Sequence, residues 1–114
     1  MLQAKAFTEP NMIHVIATIQ LNPGTREAFL KEFLRLTPLV RAEDGCIEYG
    51  ATVDVPTTMA TQQKAGEDAV VVVEKWASVE ALYAHSKAPH MADYRVAVKD
   101  FVKGVTLLVT RPVE

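Results

Sequence analysis

From Met12 to Leu21 the chain alternates: Ile13, Val15, Ala17, Ile19 and Leu21 fall on one side, while His14, Thr18 and Gln20 fall on the other. That period of two predicts a strand with unequal faces. Asn22-Pro23-Gly24-Thr25 then turns the chain, with Asn22 or Thr25 placed to cap a helix. Beyond the turn the period lengthens. Phe29, Phe33, Leu36 and Val40 recur at helical spacing, Leu30 and Leu34 widen the apolar stripe, and Arg26, Lys31, Glu32 and Arg35 lie mostly opposite. Pro38, lacking an N–H and crowding the preceding carbonyl, is expected to bend or loosen the last turn. Gly45, in Glu43-Asp44-Gly45, reads as the stop signal. Cys46 to Asp54 then reads as a second strand, with Ile47, Tyr49, Ala51 and Val53 on one face.

A polar stretch from Pro56 to Asp68 is too long for a tight hairpin turn, so it is a mobile loop or part of a site. The β-branched run Val70 to Val73, continuing through Glu74-Lys75-Trp76, predicts a third strand. Ser78 suits an N-cap, with Glu80 in the positive first turn. The helix starting at Val79 carries Leu82 and Tyr83 and is interrupted at Pro89, which fits the first turn of a second helical piece. Met91, Tyr94, Val98, Phe101 and Val102 form that piece's apolar stripe, Gly104 marks its exit, and Val105 to Thr110 supplies the last strand.

Strand, helix, strand, strand, helix, strand is the order of the split βαβ, ferredoxin-like α+β fold: a four-stranded antiparallel sheet with its helices on one face. The other face is left to water or to a partner. Met12, Ile16 and Val70 or Val72 are apolar candidates for it, which predicts a homodimer. At about 25 cal/mol per Å² of apolar area, a patch of several hundred Å² contributes several kcal/mol before the cost of association.

Composition narrows the class. A chain of 114 residues makes one domain, divided here into a frayed extension over residues 1–11 and a folded unit over residues 12–112. A net charge of −2 with no basic run argues against nucleic acid and against an anionic membrane surface. The first ten residues lack the apolar core of a secretory signal and no segment is long enough to span a bilayer, so a cytoplasmic protein is expected. Cys46 is the lone cysteine, which rules out an intrachain disulfide and suits a reducing compartment; its expected role is to fill space as a small hydrophobe.

Two of the three histidines, His85 and His90, fall between Trp76 and Tyr94, together with Tyr83. Nearly all proton-transfer chemistry available near neutral pH is therefore local to one strand-to-helix junction. Five residues apart on a helix, two histidines point away from each other, unlike the i, i+4 pair that chelates, and Pro89 breaks the geometry further, so no metal site is expected. No glycine-rich phosphate loop is present either, and nothing calls for a nucleotide cofactor. For each candidate there is a plainer reading: a histidine at a helix terminus is often a capping or surface group, and Trp76 and Tyr94 suit a core.

Asn22-Pro23-Gly24 opening the first helix, Glu43-Asp44-Gly45-Cys46-x-x-Tyr49 leading into the second strand, and Glu74-x-Trp76-x-Ser78 followed by His85 and Pro89-His90-Met91 together resemble the antibiotic biosynthesis monooxygenase superfamily. Within it the chain looks most like small bacterial quinol monooxygenases, over roughly Met12 to Pro112. The resemblance implies a dimeric α+β barrel with one pocket per subunit, and oxidation of a quinol or related electron-rich aromatic by molecular oxygen with no metal, flavin or other cofactor. Such chemistry needs a base of near-neutral pKa to ionise a substrate hydroxyl, because the anion is far easier to oxidise. His85 is the first choice as the catalytic base and His90 the second. Tyr49, Trp76, Tyr83 and Arg95 are the candidate substrate-binding residues: Tyr49 to hydrogen-bond a quinol oxygen, Trp76 to form an aromatic wall, and Arg95 to steady negative charge. Haem-degrading relatives carry an asparagine midway along the first strand, where this chain has Ala17, and that counts against haem. A non-catalytic dimer that binds a small aromatic ligand is the alternative from another class.

Overall fold

The computed structural model describes residues 11–113. Apart from Asn11, the expected extension over residues 1–11 lies outside the described residues. Strand β1 (Ile13–Leu21) leads into helix α1 (Arg26–Arg41), followed by β2 (Cys46–Thr52), β3 (Ala69–Trp76), α2 (Val79–Ser86), α3 (Pro89–Val98) and β4 (Val102–Thr110). The strands form one antiparallel sheet in the order β2-β3-β1-β4, as the split βαβ requires.

The alternation read in β1 holds throughout: Ile13, Val15, Ala17, Ile19 and Leu21 are buried and join Phe29, Phe33, Leu36 and Val40 of α1 in the core. Phe29 and Phe33 are fully buried, each contributing about 1.5–3 kcal/mol relative to an exposed ring. Leu30 packs at the edge of this cluster, whereas Leu34 is exposed and does not widen the stripe. Helix α1 continues through Pro38 to Arg41, and the Ala42 N–H bonds back to the Pro38 carbonyl at 3.2 Å. Ser78 caps α2 as expected, its hydroxyl accepting the Ala81 N–H at 3.1 Å. Thr25 precedes α1 without a side-chain cap and instead donates its hydroxyl to the Asn22 carbonyl.

Three expectations shift. Val70 and Val72 do not lie on the uncovered face: with Glu74 and Trp76 they are buried in the helix-facing layer, and Val71 and Val73 take the outer side. The run of four valines hides its phase, which only pairing with β1 reveals. In β2 a register shift between Cys46 and Glu48 leaves Ile47 about half exposed while Tyr49 is buried. A bulged residue falls out of the two-residue period, which is why Ile47 and Tyr49 do not share an environment. Helix α3 stops at Val98 rather than running to Gly104, and β4 begins at Val102 with a register shift opposite Gln20 and Leu21.

On the uncovered face, Gly50, Val73, Ile16 and Leu108 lie side by side across the four strands, flanked by a row of Thr52, Val71, Thr18 and Thr106. His14 and Lys75 sit on the same face, and Lys75 pairs with Glu48 at 3.3 Å. No helix among the described residues is long and apolar enough to cross a membrane.

Candidate active site

Pro89 breaks the helix after β3 into two pieces, with Ala88 extended at φ −65° and ψ 143° between them. The break redirects the chain, so His85 and His90 do not diverge as they would on a continuous helix. They meet on the carboxylate of Glu43. His85 Nδ1 lies 3.0 Å from Glu43 Oε2 and 3.2 Å from Oε1, and His90 Nε2 lies 2.6 Å from Oε2. Gly45 permits this approach: its φ of +85° is left-handed, and a Cβ there would stand 2.7 Å from Ala81 Cβ on α2. The turn carrying Glu43 can therefore lie directly against the helix carrying His85.

Beside this junction, under α2 and α3, lies a cavity of about 640 Å³. Val15, Ala17, Val72, Leu82 and Met91 supply much of an apolar lining, and the polar lining groups include Tyr49, Glu74, His85 and Tyr94. This is the usual composition of a small-molecule site, mostly apolar with a few convergent polar groups. His85 is buried, with its ring 4.7 Å from that of Trp76 and 5.6 Å from that of Tyr49. Nδ1 is taken by Glu43, so Nε2 is the nitrogen left to meet a ligand, and a carboxylate accepting the Nδ1 proton favours the tautomer in which Nε2 is basic.

The other expected site residues are distributed around this point. Tyr49 lines the cavity and stacks on Phe33 at 5.4 Å. Tyr83 is 60% exposed at the cavity's edge, and Arg95 lines the same edge while donating from Nη2 to the Ser86 carbonyl at 2.8 Å. Trp76 is fully buried and does not line the cavity; it stands one layer behind, against His85. His90 does not line it either. It opens onto a separate outer groove with Glu32, Arg35, Leu39 and Asp93.

Glu43 and Glu74 fall in the motifs that carry the resemblance but were given no site role, and Tyr94 was expected in the core. Glu74 shares its side of β3 with Val70, Val72 and Trp76, so its burial follows only once pairing with β1 fixes the phase of that run. Burial raises its pKa, opposed by the hydrogen bond from Trp76 Nε1 at 2.8 Å and by the neighbouring His85. Burial also pushes the Tyr49 and Tyr94 phenols up, and Glu74 adds to both shifts. Both phenols therefore stay protonated and act as donors rather than bases. Among the described residues no group of three or more His, Cys, Asp or Glu is arranged to hold a metal ion.

The family model for antibiotic biosynthesis monooxygenases matches residues 12–97. The chain belongs to the antibiotic biosynthesis monooxygenase family. It is 37% identical over 103 residues to "Probable quinol monooxygenase YgiN" of Escherichia coli (strain K12), a match covering 89% of this chain and 98% of that protein. Among solved structures, Rv0793 from Mycobacterium tuberculosis superposes with a TM-score of 0.73 at 27% identity, covering 91% of this chain and 97% of the other. An antibiotic biosynthesis monooxygenase candidate from Caulobacter crescentus CB15 superposes with a TM-score of 0.75 at 26% identity, covering 98% and 99%. The ferredoxin-like α+β fold expected from element order is thus matched over nearly the whole chain.

Proposed function

We propose that this family member is a cofactor-independent monooxygenase that oxidises a quinol or related electron-rich aromatic, working as a cytoplasmic homodimer. The observation that carries the reading is His85, a base held through Nδ1 by Glu43 at the wall of an apolar cavity of about 640 Å³. For a naphthoquinol the reaction balances as quinol plus O2 giving a hydroxylated quinone plus water: one oxygen atom forms the new C–O bond, the O–O bond breaks, and the other atom leaves in water. The substrate supplies all four electrons. The protein's task is then to bind the ring, exclude water and take a hydroxyl proton on His85 Nε2. Tyr49 donates to the substrate oxygen, Tyr83 covers the mouth, Arg95 at the rim faces the developing charge, and Trp76 holds the His85 ring from behind. His90 acts from the outer groove through Glu43.

Oxygen uptake by purified protein supplied with reduced naphthoquinones tests this directly. Turnover is expected to survive chelators and to need no added metal, haem or flavin. Activity that appears only after one of these is restored would sink the cofactor-free reading, and ligand binding without oxygen uptake would favour a non-catalytic binder. The apolar row Val73, Ile16 and Leu108 on the uncovered face supports the dimer. Sedimentation at micromolar concentration is expected to give twice the chain mass.

A further inference from the structure

Glu74 occupies a position where the alternation of β3 calls for an apolar residue. Val70, Val72 and Trp76 share its side of the strand and are buried, and Glu74 itself is only 5% exposed. A buried carboxyl is costly unless each oxygen finds a partner. Oε1 has one, the Trp76 Nε1–H at 2.8 Å. Oε2 has none among the described residues, yet no buried side-chain oxygen or nitrogen there is left unpaired, so Oε2 reaches open space. Glu74 lines the cavity, and that space is the cavity. Holding an indole N–H requires only one acceptor, which a glutamine would supply. The carboxyl adds a second acceptor that the protein leaves unused, in a cavity that Val15, Ala17 and Val72 also line. Tyr49 stands directly opposite Glu74 across the β2–β3 pair, as a donor.

We infer that Glu74 contacts the substrate, its free oxygen accepting a hydrogen bond from a ring hydroxyl, so that the cavity selects hydroxylated aromatics over equally large rings that lack a hydroxyl. This rests on reading the cavity as an aromatic-substrate site, but not on the oxygen chemistry proposed for it. An apolar wall alone prefers a methyl to a hydroxyl, since the hydroxyl gives up water on entry. A desolvated acceptor reverses that preference, because a ligand without a donor leaves it unpaired.

The isosteric pair 1-naphthol and 1-methylnaphthalene, measured by equilibrium dialysis, reads this preference. The wild-type protein is expected to bind 1-naphthol at least about tenfold more tightly, the effect of one hydrogen bond to a charged or buried partner. Glu74→Gln keeps an acceptor for Trp76 and replaces the free one with an amide, and should lower the ratio by about tenfold. A wild-type ratio at or below one overturns the inference without need of any variant, as does an unchanged ratio in folded Glu74→Gln. Oxygen uptake on the same wild-type sample separates the two readings. A strong naphthol preference without quinol turnover strikes the monooxygenase proposal and leaves Glu74 in place, whereas turnover without the preference strikes Glu74 alone.

Discussion

The cavity under α2 and the shallow groove beside α3 share a wall in Tyr94 and are joined through Glu43, but they are chemically unlike. The cavity is apolar, with His85 in its wall; the groove carries Glu32, Arg35 and Asp93 beside His90. Two histidines bonded to the same carboxylate are therefore placed for different work. One is dry enough to meet an electron-rich ring, and the other stays among charges that water solvates. Proximity in sequence, and even a shared hydrogen-bond partner, does not make two groups equivalent. The space each ring opens onto does.

The largest effect expected is on the cavity side. His85→Ala should lower quinol turnover at about pH 7 by roughly 10²- to 10⁴-fold, and part of the loss should return at high pH, where the substrate ionises unaided. A pH–rate profile with thermal melts checks this; an unchanged profile in a folded protein would remove His85 as the base. Glu43→Gln and His90→Ala sharpen the contrast. The carboxylate takes both imidazoles, whereas the amide offers one acceptor oxygen and an NH2 that cannot accept, so Glu43→Gln should loosen the hold on His85 and cost roughly tenfold in kcat. Loss of His90, on the groove side, should cost within about threefold. Equal damage from His85→Ala and His90→Ala would erase the distinction between the two regions.

The smallest effect concerns stability. The Glu74 carboxyl titrates above its ordinary range because it is buried. A carboxyl whose pKa is higher folded than unfolded costs nothing below its unfolded pKa, and stability is lost as pH rises through the elevated folded value. Glu74→Gln lacks that loss. Its melting temperature should exceed that of the wild type at pH 7, and the gap should close as the pH falls toward 4. A gap that widens in acid would show the sign to be wrong.

Element order and the inner face of β1 were legible because one residue type after another obeys a single period. The run Val70 to Val73 was not, since four similar side chains carry no phase until β1 pairs with them. Ile47 departs for a different reason: it is the extra residue between Cys46 and Glu48, and nothing in its own side chain marks the altered count. The site divides in the same way. His85 could be named because imidazole is scarce in this chain, and Tyr49 because it ends one of the motifs that carry the resemblance. Glu43 could not, because its role depends on the chain direction set at Ala88 and Pro89 and on the close pass at Gly45, both long-range outcomes of folding. His90 was placed with His85 by sequence, and the same break that brings them to one carboxylate turns His90 away from the cavity.

Trp76 is the only tryptophan in the chain, and its indole touches two groups of the cavity wall, donating its N–H to Glu74 and lying against the His85 ring. A protonated imidazole quenches a neighbouring excited indole, and loss of the N–H acceptor shifts its emission. The protein thus carries its own unlabelled optical probe. Its intrinsic fluorescence, followed through a pH titration or the arrival of a ligand, reports the charge at the heart of the cavity in real time.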